Sequence, residues 1–250
     1  MNRVLLSFII TAFAGISTII GFLVIFIKKK NHNKIIVSSL SFASGVMVCT
    51  SISDLIPESI NLLSSSLSTI NTVIFSFLSI LLGIIVSMII NYYVPDNNNY
   101  EDNTLFRVGI ISMIVIILHN IPEGIATFMA SSSNINLGVS LAIAIAMHNI
   151  PEGITIAVPI YYSTGKEKLA FIYTLISALS ELLGAIICYL VLRKYMTNFL
   201  LGIILSIIAG IMLEISFKTL LPSTKKYNDK SRVIFFFIIG FVFMLLRVII

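Results

Sequence analysis

LHNIPEGIATFMA, residues 118–130, and MHNIPEGITIAVP, residues 147–159, share the core His-Asn-Ile-Pro-Glu-Gly-Ile at a separation of 29 residues. Each copy lies inside a long apolar run, 105–130 for the first and 137–162 for the second. A helix needs roughly 20 apolar residues to cross a bilayer, so both runs read as membrane spans. Neighbouring spans run in opposite directions, which makes the two copies an inverted pair. Each copy places a histidine and a glutamate at i and i+4, on one helical face.

The rest of the chain follows the same pattern. Hydrophobic residues make up 58% of 250 and charged residues only 11%, with a mean hydropathy of +1.05. A water-soluble domain is about a quarter charged, so lipid is the expected solvent. Apolar runs fall near 4–27, 35–56, 70–94, 105–130, 137–162, 169–192, 199–221 and 233–250. These are taken as spans 1 to 8. The connections, such as PDNNNYEDN and PSTKKYNDKSR, are too short for a further domain. The reading is an all-α integral membrane protein of eight transmembrane helices forming a single domain over residues 1–250. The first run, Val4 to Ile27, is about twice the length of a signal-peptide core and is read as a span. Cys49 and Cys188 lie far apart in apolar runs and read as core residues, not a disulfide.

The net charge of +5 sits in the connections. It is an orientation signal and not a nucleic-acid footprint. Loops on one side carry Lys28, Lys29, Lys30, Lys34, Arg107, Lys166, Lys168, Lys225, Lys226, Lys230 and Arg232; the other side carries Arg3, Arg193, Lys194 and Arg247. The richer side is assigned to the cytoplasm, so both termini are expected outside a plasma membrane.

Fainter echoes extend the inverted repeat. Gly45, Met47, Ser51, Leu55 and Pro57 of span 2 match Gly210, Met212, Ser216, Leu220 and Pro222 of span 7 at one constant offset. Ser17-Thr18-Ile19-Ile20-Gly21 matches Ser180-Glu181-Leu182-Leu183-Gly184 more weakly. Spans 1–3 and 6–8 are therefore expected to be inverted halves around the central pair 4–5. Such repeats are common in transporters.

The chemistry lies at mid-membrane. An ionised residue at the bilayer centre costs roughly 2.5–3.5 kcal/mol on insertion scales, yet Glu123, Glu152 and Glu181 all fall near span centres. His119 and Glu123 share a face, Asn120 lies beside it, and His148, Asn149 and Glu152 repeat the set. Imidazole nitrogen with carboxylate oxygen suits zinc and its first-row neighbours. The two faces with Glu181 would hold one ion, or two bridged by the glutamates. A lone histidine–glutamate pair is equally well read as a structural hydrogen bond, but the doubled set favours a cation. Pro122 and Pro151 release the carbonyls of Leu118 and Met147, each next to a histidine. Asp54 and Glu58 read as a solvated helix end. Glu214 is expected to pair with Lys218 one turn on.

The paired motif resembles the ZIP (Zrt/Irt-like) family of metal transporters, and within it the bacterial zinc-uptake branch of ZupT type. The resemblance covers the whole chain, including Ser180-Glu181 in span 6. It implies metal uptake toward the cytoplasm by a four-helix transport bundle sliding against a scaffold. It also implies one metal site of His119, Glu123, His148 and Glu152, and a neighbouring one of Asn120, Glu123, Asn149, Glu152 and Glu181. Many relatives have a histidine-rich loop between spans 3 and 4, which here is PDNNNYEDNT. Acidic residues common near the end of span 7 are replaced here by Lys218 and Thr219.

Zn2+ is then the expected transported substrate, with Fe2+, Mn2+, Co2+ and Cd2+ as further candidates. The expected partners are these ions and the lipid bilayer, with no nucleic acid and with a homodimer left open. No enzymatic activity is expected. An intramembrane metalloprotease would need His-Glu-x-x-His, which the chain lacks. An ATP-driven pump would need a phosphate-binding glycine loop, also lacking. A metal-permeant channel is not separated from a carrier by ligands alone.

Overall fold

In the computed structural model a single non-helical residue, Asn134, separates the helices Asn103–Ser133 and Ile135–Thr164. Its side chain accepts hydrogen bonds from the backbone N–H of Asn136 at 2.9 Å and Leu137 at 3.4 Å, capping span 5. So short a connection forces spans 4 and 5 to pack antiparallel. Asp102 caps span 4 by accepting from Leu105 N–H at 2.9 Å. Span 5 ends at Gly165, whose φ of 67° suits glycine. Both helices run unbroken through their internal prolines, Pro122 in span 4 and Pro151 and Pro159 in span 5.

The structure describes residues 3–27, 31–95, 102–191 and 197–249, without the side chains of the last three. Lys28, Lys29, Lys30, Arg193, Lys194 and most of the span 3–4 connection lie outside the described residues. The described residues are helical with short connections and contain no strand. Seven segments are long and apolar enough to cross a membrane: Arg3–Phe26, His32–Ser64, Thr69–Tyr93, Asn103–Ser133, Ile135–Thr164, Glu167–Leu190 and Asn198–Tyr227. The eighth helix, Lys230–Ile249, reaches the end of the described chain. The chain is thus an all-α, multi-pass membrane protein.

Spans 2 and 7 are longer than their apolar runs. Each contains a π turn, Ser51–Leu55 in span 2 and Ile215–Leu220 in span 7, and each π turn is followed two residues later by a proline, Pro57 or Pro222. A π turn is a natural place to absorb a proline's missing N–H and its clash with the preceding turn. The helix then continues, to Ser64 in span 2 and to Tyr227 in span 7.

Two compact units divide the chain, Met1–Ser39 with Asp96–Tyr195, and Leu40–Pro95 with Met196–Ile250. The first holds spans 1, 4, 5 and 6 with the opening of span 2. The second holds the rest of span 2 with spans 3, 7 and 8.

The packing logic inverts that of a soluble bundle. On span 3 the buried positions are Thr72, Ser76, Ser79, Gly83 and Ser87. The exposed ones include Ile70, Val73, Phe77, Leu78, Leu82 and Ile85. Lipid tails are as apolar as leucine, so small residues mark the face where helices meet closely.

Those close contacts expose the repeat. In the second unit, a Cβ on Gly45 of span 2 would strike the backbone of Phe237 and Phe241 in span 8, and one on Gly210 of span 7 would strike Ile80 and Ile84 of span 3. The reverse contacts are Gly240 on Phe42 and Gly83 on Ile207. A shift of 165 residues converts span 2 into span 7, and a shift of 157 converts span 3 into span 8, with every contact preserved. The two π turns obey the same 165-residue shift at their shared residues. The first unit behaves likewise: Gly124 of span 4 meets the Glu181 backbone and Gly153 of span 5 meets the Thr18 backbone. The expected inverted halves are therefore present as a set of repeated contacts within each unit.

Candidate metal centre

Span 5 brings His148, Asn149 and Glu152 between two apolar clusters. One cluster includes Ala142 and Ile145 with Ile10 and Ala14 of span 1. The other includes Ile156, Ala157 and Ile160 with Phe22, Ile25 and Ile116. The polar groups are sealed from both ends of the helix, and all seven expected site residues are buried, with Asn120, Asn149, Glu152 and Glu181 at 0% exposure.

Glu123 is the meeting point of the two motif copies. Its Oε1 shares a hydrogen bond with His148 Nε2 at 3.0 Å and lies 3.3 Å from His119 Nε2. His119 Nε2 is also 3.4 Å from Glu152 Oε1. The two imidazole rings are 5.9 Å apart. Ligand atoms from His119, Glu123 and His148 all lie within 4.8 Å of one another. Glu152 joins this group through His119.

The asparagines connect the group to Glu181. Asn149 Nδ2 donates to Glu181 Oε2 at 2.9 Å and to the Ala14 carbonyl at 3.0 Å. Asn120 Nδ2 donates to the Ser177 carbonyl at 3.1 Å. Using the NH2 groups on carbonyl and carboxylate oxygens fixes both amide orientations. Each Oδ1 is then left as an acceptor without a hydrogen-bond partner in the protein.

The same holds for much of the cluster. His119 Nδ1 and Nε2, Glu123 Oε2, His148 Nδ1, both carboxylate oxygens of Glu152 and Glu181 Oε1 are buried without a hydrogen-bond partner. Each such group costs about 1–3 kcal/mol, and more when charged. A protein that held these atoms together for packing alone would satisfy them. Three ionised carboxylates carry more charge than one divalent cation cancels and less than two supply. Nitrogen and oxygen donors of this kind accept Zn2+ and other first-row divalent ions.

Asp54, Glu58, Glu214 and Lys218 belong to the second unit. Glu58 is exposed, and half-buried Asp54 accepts from the Ser53 hydroxyl at 3.0 Å. The expected Glu214–Lys218 pair is not formed. Buried Glu214 accepts instead from the Ser87 hydroxyl, and Lys218 is exposed. The reason is the π turn that begins at Ile215, which adds a residue to the turn and rotates Lys218 off the Glu214 face.

Sequence reasoning also missed the backbone partners of the asparagines, Ala14 in span 1 and Ser177 in span 6. Nothing in an apolar helix marks which carbonyl will be used.

Comparison with known proteins places the whole chain in a family. Residues 95–247 match the family model described as ZIP Zinc transporter. The chain is 36% identical to a protein named zinc transporter ZupT from Clostridium perfringens, over 98% of this chain and 95% of that one. Proteins of the same name from Oceanobacillus iheyensis and Streptococcus mutans are 34% and 36% identical, over 92% and 95% of this chain and 91% and 94% of theirs. The chain belongs to the ZIP zinc transporter family and is a membrane transporter, not an enzyme.

Proposed function

We propose that the chain takes up divalent metal ions, zinc foremost, across the plasma membrane into the cytoplasm. The observation that carries this reading is the convergence of the two motif copies on Glu123, with both histidines and Glu152 gathered around it and their remaining donor atoms unpartnered. In this reading His119, Glu123, His148 and Glu152 bind one ion. Asn120, Glu123, Asn149, Glu152 and Glu181 bind its neighbour, with the two glutamates bridging. Fe2+, Mn2+, Co2+ and Cd2+ are competing substrates, because a histidine–carboxylate site accepts all of them. The two units act together as one transporting domain over residues 1–250, with both termini outside and a homodimer as the candidate assembly.

Uptake of zinc into proteoliposomes, with each of the other ions as competitor, tests this. Zinc flux that saturates with concentration and stays slow per protein is expected of a carrier. Non-saturating flux would move the reading to a metal-permeant channel, and absence of any metal flux would overturn it.

A further inference from the structure

The first unit contains its metal centre within a pseudo-twofold repeat. A shift of 29 residues takes span 4 to span 5, and a shift of 163 takes span 1 to span 6. Four independent contacts occur twice under this operation. Asn120 donates to the Ser177 carbonyl as Asn149 donates to that of Ala14. The Ser180 hydroxyl donates to Ser177 at 2.6 Å, and that of Ser17 donates to Ala14 at the same distance. Gly124 meets the Glu181 backbone as Gly153 meets that of Thr18. Gly184 meets Ile121 as Gly21 meets Ile150. The operation therefore maps Glu181, a member of the centre, onto Thr18.

Thr18 is fully buried, and its Oγ1 has no hydrogen-bond partner. Other buried hydroxyls share this, Ser112, Thr127 and Ser177 among them, but Thr18 alone of these is the residue that the repeat aligns with Glu181. Where a helical hydroxyl is satisfied, a common partner is the carbonyl four residues back, as for Thr11 on Ser7 at 2.9 Å and Thr174 on Ala170 at 2.8 Å. For Thr18 that carbonyl is Ala14's, which already accepts from Asn149 at 3.0 Å and from Ser17 at 2.6 Å. A carbonyl oxygen has two lone pairs, and these two donors already join the helix's own N–H there, so no capacity remains for the Thr18 hydroxyl. The asparagine that reads the centre thus also deprives Thr18 of its ordinary partner.

We propose that Thr18 is a further substrate-contacting residue, whose hydroxyl offers the transported cation a neutral oxygen at the position where the other half of the repeat offers the Glu181 carboxylate. The inference rests on the transport reading above. Gly15 and Ala178 map onto each other and touch, so spans 1 and 6 cross there. Thr18 and Glu181 each lie three residues beyond that crossing, displaced in opposite directions by about 4.5 Å of helix rise. A cation moving along the bilayer normal meets a carboxylate at one end of the centre and a hydroxyl at the other. The hydroxyl holds it more weakly, which favours its release on that side.

The test compares T18V, T18S and wild type for zinc uptake in proteoliposomes, zinc binding by calorimetry and thermal stability without metal. Valine keeps the shape and removes the hydroxyl. T18V should leave metal-free stability unchanged or raised, because it removes an unsatisfied buried group, while uptake falls at least about fivefold. T18S should keep most of the uptake. Wild-type uptake in T18V would overturn the proposal, and so would parallel loss of stability and uptake in both variants, which marks a packing role. A second route avoids dependence on T18V folding. E181T should bind zinc poorly, and T18E/A178G/E181T should regain binding, with glycine facing the new glutamate as Gly15 faces Glu181. No recovery in a folded triple variant would also overturn the proposal. Wild-type binding is the control: its absence would sink the transport reading, whereas its presence with an unaffected T18V sinks this inference alone.

Discussion

Glu152 has no exposed surface, and neither of its carboxylate oxygens has a hydrogen-bond partner in the protein. An uncompensated buried carboxylate is among the costliest groups a fold can carry. Its neighbour at 3.4 Å, His119 Nε2, also lacks a hydrogen bond. Two groups that approach without satisfying each other are placed for a third. The expected consequence is a divided phenotype for Glu152→Ala. The metal-free protein should insert normally and melt no lower than wild type, because a buried carboxylate without a hydrogen bond has been removed. Zinc uptake should fall to background. Uptake compared at equal expression, with melting of the purified metal-free protein beside it, reads both halves. Wild-type uptake in the variant would remove Glu152 from the centre.

At the scale of the element, Pro122 sits inside a 31-residue helix that continues through it. Proline removes one backbone hydrogen bond and displaces the carbonyl four residues back, here that of Leu118 beside His119. Within a membrane, unsatisfied backbone groups persist only where they line a cavity or serve a ligand. Pro122→Ala should restore the N–H and close the ladder, gaining up to about 3 kcal/mol of helix stability. It should also turn His119 and Glu123 away from span 5 and weaken zinc binding. Calorimetry on the purified variant decides this, since unchanged affinity would leave the proline a tolerated bend. The motif that holds Pro122 was legible in the sequence because polar residues stand out against an apolar background. Span count, the inverted central pair and all seven candidate ligands followed from that contrast. The π turns did not, because Ser51–Leu55 and Ile215–Leu220 contain nothing that departs from ordinary helix composition. The Glu214–Lys218 expectation failed for that reason, as it assumed an α-helical register across a π turn. The role proposed for Thr18 was hidden because it rests on what Asn149 does to the Ala14 carbonyl, a contact between residues 135 apart.

Across the whole chain, the distribution of basic residues is the one sequence property that sets direction, because positive charge is retained on the cytoplasmic side. Lys166 and Lys168 flank the end of span 5, and Lys225, Lys226 and Lys230 follow span 7. The connection between spans 4 and 5 carries no basic residue. These connections must lie on opposite faces, since an odd number of spans separates them. Direction matters to the proposed role of Thr18, because orientation would decide whether an entering ion meets Glu181 or Thr18 first. Single cysteines test it in a Cys49→Ser, Cys188→Ser background, in which both native thiols, buried in the fold, are gone. Lys225 and Asn136 are exposed positions on the two kinds of connection. Asn136→Cys should react with a membrane-impermeant thiol reagent in intact cells, and Lys225→Cys should react only after the membrane is opened. The reverse pattern would place the lysine-rich connections outside and reverse the direction in which the centre faces its substrate.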